Sequence, residues 1–109
     1  MRPSPACPTA IGVALPRARG AALTRIAQRA ESLGFDRLVA PGGAQGDALT
    51  VLSFAAAATE RIGLATACLS LPGRRARLVG EAARSLDELS GGRFALWVTA
   101  APERPPLEL

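Results

Sequence analysis

The residues whose type and spacing bear on chemistry are Cys68, Trp97, the arginines at 74, 75 and 77, and the run Ser90-Gly91-Gly92-Arg93. A thiol attacks as its thiolate, which needs a neighbouring base or cation to form. Cys68 lies in an apolar run of a chain with no histidine, so a nucleophilic role is not expected, while ordinary packing of a small apolar residue and a place at a binding site both stay open. Cys7 and Cys68 make neither a CxxC pair nor a metal cluster, which points to a reduced compartment and no metal site. The three arginines follow Pro72-Gly73 at the start of a helical pattern. There they could attract a phosphate or a nucleic-acid backbone. No aromatic platform accompanies them, so a solvated face is favoured and no nucleic-acid partner is expected.

The composition excludes more. All 13 basic side chains are arginine, and lysine, histidine, tyrosine and asparagine are missing. A histidine base, a Schiff-base lysine and a P-loop lysine are therefore ruled out. The net charge of +4 reads first as a bias toward arginine and only then as a preference for anions. At 49% hydrophobic residues the chain suits one folded domain. Arg61 ends the longest alanine-rich stretch before it could span a membrane, and no secretory leader is apparent. A cytoplasmic location with no membrane partner is expected.

The elements that must position these residues follow from periodicity. Residues 1–9 hold three prolines and read as a flexible tail, and 100–109 form a second proline-rich tail. Between them, residues 10–99 read as one domain. Ile11 to Leu15 suits a buried strand stopped by Pro16. Leu23, Ile26, Ala27, Ala30 and Leu33 then share one face of a helix that Gly34 ends. Phe35 to Ala40 predicts a second strand, closed by Pro41-Gly42-Gly43. Asp47 can cap a second helix, with Leu49, Leu52, Ala55, Ala56 and Thr59 inward. Arg61 to Leu69 predicts a third strand, apolar enough to be covered on both faces. A third helix carries the stripe Leu78, Ala82, Leu86 and Leu89, and Phe94 to Val98 forms a fourth strand. The order βαβαβαβ with short connections predicts an α/β fold with four parallel strands.

Three segments then carry a family pattern. Ala27 to Val39, with its Glu31-Ser32-Leu33-Gly34-Phe35-Asp36 centre, resembles the first-helix and second-strand signature of the luciferase-like monooxygenases. Asp47 to Thr50 and Phe54 to Ala67 resemble that family's second helix and third strand. The most specific piece is Ala82 to Phe94, which is similar to its helix-to-strand junction nearly residue for residue. The resemblance spans about residues 10 to 98.

It implies a partial TIM barrel, a half-barrel, because a full (β/α)₈ barrel takes about 250 residues. It also implies flavin- or F420-dependent oxidoreduction, with FMN or F420 as cofactor, a small-molecule substrate and, for the monooxygenases, incorporation of molecular oxygen. Carried onto this chain, the flavin ring would rest near Ala67 and Cys68, where the family commonly has a non-prolyl cis peptide. Trp97 would be a barrel-interior residue or a wall stacked on the ring. The family's acidic-histidine pair after the second strand is replaced by Pro41-Gly42-Gly43. Its arginine-asparagine-proline pattern after the third strand is replaced by Pro72-Gly73-Arg74-Arg75-Ala76-Arg77. Phosphate-binding loops from later strands are not in this sequence. The expectation is an oxidoreductase half that is weakly active or inactive alone. The alternative is a non-catalytic structural half-barrel that needs a second copy or a separately encoded second half. In either case Ser90-Gly91-Gly92-Arg93 is expected to be a structural turn, with Arg93 paired to Asp87, Glu88 or the end of the preceding helix.

Overall fold

The computed structural model describes residues 11–41 and 47–100. Along the chain run β1 (Gly12–Ala14), α1 (Gly20–Ser32), β2 (Arg37–Pro41), α2 (Ala48–Ala58), β3 (Gly63–Ala67), β4 (Leu69–Ser70), α3 (Ala76–Leu89), β5 (Phe94–Ala95) and β6 (Val98–Thr99). The tail expected at 1–9, Cys7, Gly42, Gly43 and all but Ala100 of the tail expected at 100–109 lie outside the described residues.

All pairings are parallel. One sheet has the order β1-β2-β3-β5, and β4 pairs with β6 beside it. Val13, Leu38, Leu64 and Phe94 share one register row, and Ala14, Val39, Ala65 and Ala95 share the next. Successive strand residues point to opposite faces, so the first row faces the helices and the second faces the open side. Leu38 and Leu64 are buried among Leu23, Ala27, Leu52, Ala55 and Leu86 in one core. Alanines at 27, 40 and 55 are at most 1% exposed and let the helices approach the sheet closely. This is the half-barrel arrangement of an α/β fold.

The helix boundaries have local causes. Asp47 caps α2, its Oδ2 accepting from Thr50 N at 2.9 Å and from Thr50 Oγ1 at 2.8 Å. Gly34 leaves α1 at φ 87°, and Gly91 and Gly92 leave α3 at φ 72° and 83°, a region that side chains with a Cβ rarely enter.

Two helix faces differ from expectation. Leu33 is 60% exposed, because it is the C-cap of α1 and the chain turns away at Gly34. In α3 the inward residues are Val79 and Leu86, with Ala83 partly buried, while Leu78 and Leu89 are 55% and 84% exposed. The expected stripe of Leu78, Ala82 and Leu89 shares Leu86 with the true one but flanks it. Leu78 lines a shallow groove with Leu49, and Leu89 lines another with Ser53, Ala56 and Ala57 of α2. Ser53, Ala56 and Ala57 are small enough to leave the α2–α3 seam open beside Leu89.

Candidate functional site

The third and fourth strands were each expected to be continuous, and both are interrupted at the same level. Thr66 is the reason the interruption is stable. It is fully buried, the polar residue in the apolar run of β3. Its Oγ1 accepts from Trp97 N at 2.8 Å and donates to Trp97 O at 2.8 Å. The hydroxyl therefore takes the place of a backbone rung between the strands. Two residues later Cys68 adopts φ 54°, the one positive φ at a non-glycine among the described residues. Such a backbone costs roughly 1–2 kcal/mol for an L-residue and needs surrounding structure to hold it. The ladder then resumes, with Leu69 N donating to Trp97 O at 2.7 Å and Leu71 N to Thr99 O at 3.0 Å.

This geometry places the expected site residues. Ala67, Cys68 and Trp97 are brought together at the C-terminal end of β3 and the break after β5, and all three are exposed. No peptide bond among the described residues is cis, so the bend at Ala67–Cys68 is made by the left-handed Cys68 instead. The same bend decides against ordinary packing as the reading of Cys68. Strict alternation would send its side chain to the helix-covered face with Leu64 and Thr66, and the turn frees it into solvent. A C-terminal strand end is where barrels of this type carry their chemistry.

The open face below that ledge holds a residue that sequence reasoning missed. The Arg37 guanidinium lies over the Trp97 ring, 5.3 Å from its centroid. Gly12 and Gly63 stand opposite Arg37 in the two neighbouring strands. A Cβ at Gly12 would come within 3.1 Å of Arg37 Cγ, and one at Gly63 within 3.3 Å of Arg37 Cβ. The missing side chains give the arginine its path across the face. Two glycines bracketing a charged strand residue were the available signal.

Of the other singled-out arginines, Arg74, Arg77 and Arg93 are held in structural contacts. Arg74 Nη1 meets Asp47 Oδ1 at 3.4 Å, and Arg77 Nε meets Glu81 Oε1 at 3.3 Å. Arg75 is the N-cap residue of α3. Burial pushes the Asp47 carboxyl up, but the Thr50 and Arg74 contacts outweigh it and hold its pKa below the ordinary value. Arg93 binds no carboxylate among the described residues. Its Nε donates to Ser90 O at 2.7 Å, at the end of α3. Its Nη atoms donate to Ala56 O, Thr59 O, Thr59 Oγ1 and Ile62 O at 3.0–3.2 Å, capping the end of α2. Asp87 Oδ1 instead accepts from Phe94 N at 3.4 Å.

Glu31 makes a second joint at that end of the sheet. Its Oε2 accepts from the consecutive amides of Glu60, Arg61 and Ile62 at 2.9, 2.6 and 2.9 Å. Burial raises its pKa, and the three amides with the Arg61 charge overcome that and lower it. Both joints lie at the strand N-termini, away from Cys68.

The sequence profile described as luciferase-like monooxygenase matches residues 1–107. No curated protein matches the chain in sequence. Three solved structures share the fold. The coenzyme F420-dependent tetrahydromethanopterin reductase from Methanopyrus kandleri matches with a TM-score of 0.73 at 24% identity, over 80% of this chain and 26% of its own. A monooxygenase from Streptomyces bottropensis gives 0.74 at 22%, over 81% and 32%. The oxygenating constituent of 3,6-diketocamphane monooxygenase from Pseudomonas putida, in complex with FMN, gives 0.75 at 19%, over 86% and 30%. The chain thus spans less than a third of the length of each.

Proposed function

The chain belongs to the luciferase-like monooxygenase family of flavin- and F420-dependent oxidoreductases, and from that premise we propose that residues 10–99 supply the ring-binding side of such an enzyme's cofactor pocket. The observation that carries the reading is the paired interruption at Cys68 and Trp97, braced by the buried Thr66 hydroxyl at the strand C-termini. Ala67 and Cys68 present a backbone ledge with small side chains, and the half-exposed Trp97 ring stands beside it. A planar ring of FMN or F420 fits such a ledge. When bound, the cofactor supplies hydride transfer or oxygen activation; this chain's residues orient the ring and exclude water from one side.

A phosphate anchor is a different matter. Arg74 and Arg77 are engaged with Asp47 and Glu81, so the arginine cluster is a poor cradle. Without charge-assisted bonds to a phosphate, each worth roughly 1.5–3 kcal/mol, ring contacts alone give an affinity of about millimolar. We therefore expect the 109-residue chain alone to bind weakly and not to turn over. A working site would need a second half-barrel, from another copy or a separate chain, acting on a small-molecule substrate in the cytoplasm. A groove of about 470 Å³ along α1, lined by Val13, Ile26, Ala30, Leu33 and Phe35 together with Arg25 and Arg29, favours this partnered reading. No helix among the described residues is long and apolar enough to cross a membrane.

The exposed thiol of Cys68 supplies the test. In a Cys7→Ser variant, gel-filtered and with its mass measured by sedimentation, millimolar FMN or F420 should slow the reaction of Cys68 with a thiol reagent. Unchanged labelling while binding is seen by calorimetry would remove the ring from the ledge. Low-micromolar affinity, or flavin-dependent oxygen consumption by the monomer, would overturn the expectation of a partner.

A further inference from the structure

We propose that Arg37 and Trp97 form a binding position for an organic carboxylate with an apolar body, which extends the oxidoreductase reading by naming a substrate class. Of the strand positions that face the open side, Gly12, Ala14, Val39, Pro41, Gly63, Ala65, Ala67 and Ala95 are uncharged, and Arg37 alone carries charge. Among the described residues no carboxylate lies within ion-pair distance of Arg37, and its side-chain partner is the Trp97 ring. Arg93, by contrast, has its donors directed to backbone and hydroxyl oxygens. The Arg37 side chain is partly buried, yet its donors have no protein acceptor among the described residues.

The geometry selects the ligand. The Trp97 ring takes one face of the guanidinium, which leaves the N–H edges available. Those edges form a rigid planar fork that matches a carboxylate in a bidentate pair. The surrounding surface is methyl and glycine backbone, which suits an apolar body and offers no second cation for a dianion such as phosphate. Stacking holds the guanidinium orientation before the ligand arrives, so little rotamer freedom remains to be lost.

Trp97 is the single tryptophan, and the chain has no tyrosine, so intrinsic fluorescence reads this position directly. Cyclohexanecarboxylate should produce a saturable change in Trp97 emission, with a midpoint on the order of millimolar. Cyclohexylmethanol, the same body without charge, should produce none. Arg37→Gln should weaken the carboxylate response at least about tenfold while its circular dichroism stays unchanged. Should Arg37→Gln not fold, Arg37→Lys, which keeps the charge but loses the planar fork, should fold and also bind more weakly. Equal binding by either folded variant, an equal response to the alcohol, or a stronger response to inorganic phosphate would overturn the proposal. The titration contains no flavin, so it fails or succeeds separately from the Cys68 protection experiment.

Discussion

Replacing Thr66 by valine isolates the hydroxyl that braces the break. Valine keeps the shape and burial of threonine, so no cavity is made and the apolar contacts of the fully buried side chain persist. What is lost is one bond from Trp97 N and one to Trp97 O, both at 2.8 Å. The carbonyl retains Leu69 N as a donor at 2.7 Å, so it is not orphaned. The Trp97 amide has no such second partner among the described residues. Leaving that partly buried donor without an acceptor costs about 1–3 kcal/mol. Threonine to serine keeps both bonds and removes one methyl group, a loss of roughly 1 kcal/mol. Urea unfolding followed by circular dichroism should therefore rank wild type above Thr66→Ser and Thr66→Ser above Thr66→Val. Trp97 emission and its quenching by acrylamide in the folded state should change in Thr66→Val and stay near wild type in Thr66→Ser. Equal midpoints for Thr66→Val and wild type, with unaltered Trp97 quenching, would show that the hydroxyl does not hold the ledge.

Arg93→Lys should destabilise by about 2–3 kcal/mol, because one ammonium cannot reach the carbonyls of Ser90, Ala56, Thr59 and Ile62 together. Arg77→Lys, at an exposed pair with Glu81, should shift the midpoint by less than about 0.5 kcal/mol in the same assay; a comparable loss in both would contradict the capping role. Glu31 has a folded pKa below its ordinary 4.5, so its contribution to stability is complete above that value and disappears as pH falls through the lower folded value. Glu31→Gln should be less stable than wild type at neutral pH, and the difference should shrink in acid, measured as denaturant midpoints across the pH range. Asp47, lowered from 3.8, acts in the same direction and leaves a residual acid sensitivity in that variant.

Elements with a strong local cause were legible in the sequence. Gly34, Asp47 and Gly91-Gly92 act within one turn of chain, and each ends or begins a helix where its chemistry dictates. The apolar runs gave the parallel strands for the same reason. The inward face of α3 was not legible, because apolar residues at 78, 82 and 89 compete with those at 79 and 83, and the winner is chosen by α2. Ser53, Ala56 and Ala57 decide that choice from more than 20 residues away, and no period within α3 records it. The same holds for the site. Ala67, Cys68 and Trp97 were named from resemblance, but the buried hydroxyl that joins them is a contact between residues 31 apart. Glu31 and Arg93 bond mainly to backbone atoms of other segments, so their roles have no pattern in side-chain types.

An uncovered barrel interior would be expected to expose a large apolar surface, and the register shows that the exposed apolar side chains lie elsewhere. The open face is built from Gly12, Ala14, Gly63, Ala65, Ala67 and Ala95 around Arg37, Val39 and Pro41. At about 25 cal/mol per Å² of apolar area, glycine and alanine add little whether wet or dry. Apart from Trp97, which stacks with Arg37 at 44% exposure, the large exposed apolar side chains are instead Ile11 before β1, Leu33 at the end of α1, Phe54 on α2, Leu78 and Leu89 on α3, and Val98 after β5, each between 45% and 84% exposed. These mark the lateral margins of the sheet and the outer surfaces of the helices. β1 and β5 are also the terminal strands of the four-stranded sheet, and unpaired edges favour strand addition. The exposed hydrophobic surface of this fold therefore lies sideways, at sheet edges and helix flanks. The face around Arg37 gains little from being filled with side chains.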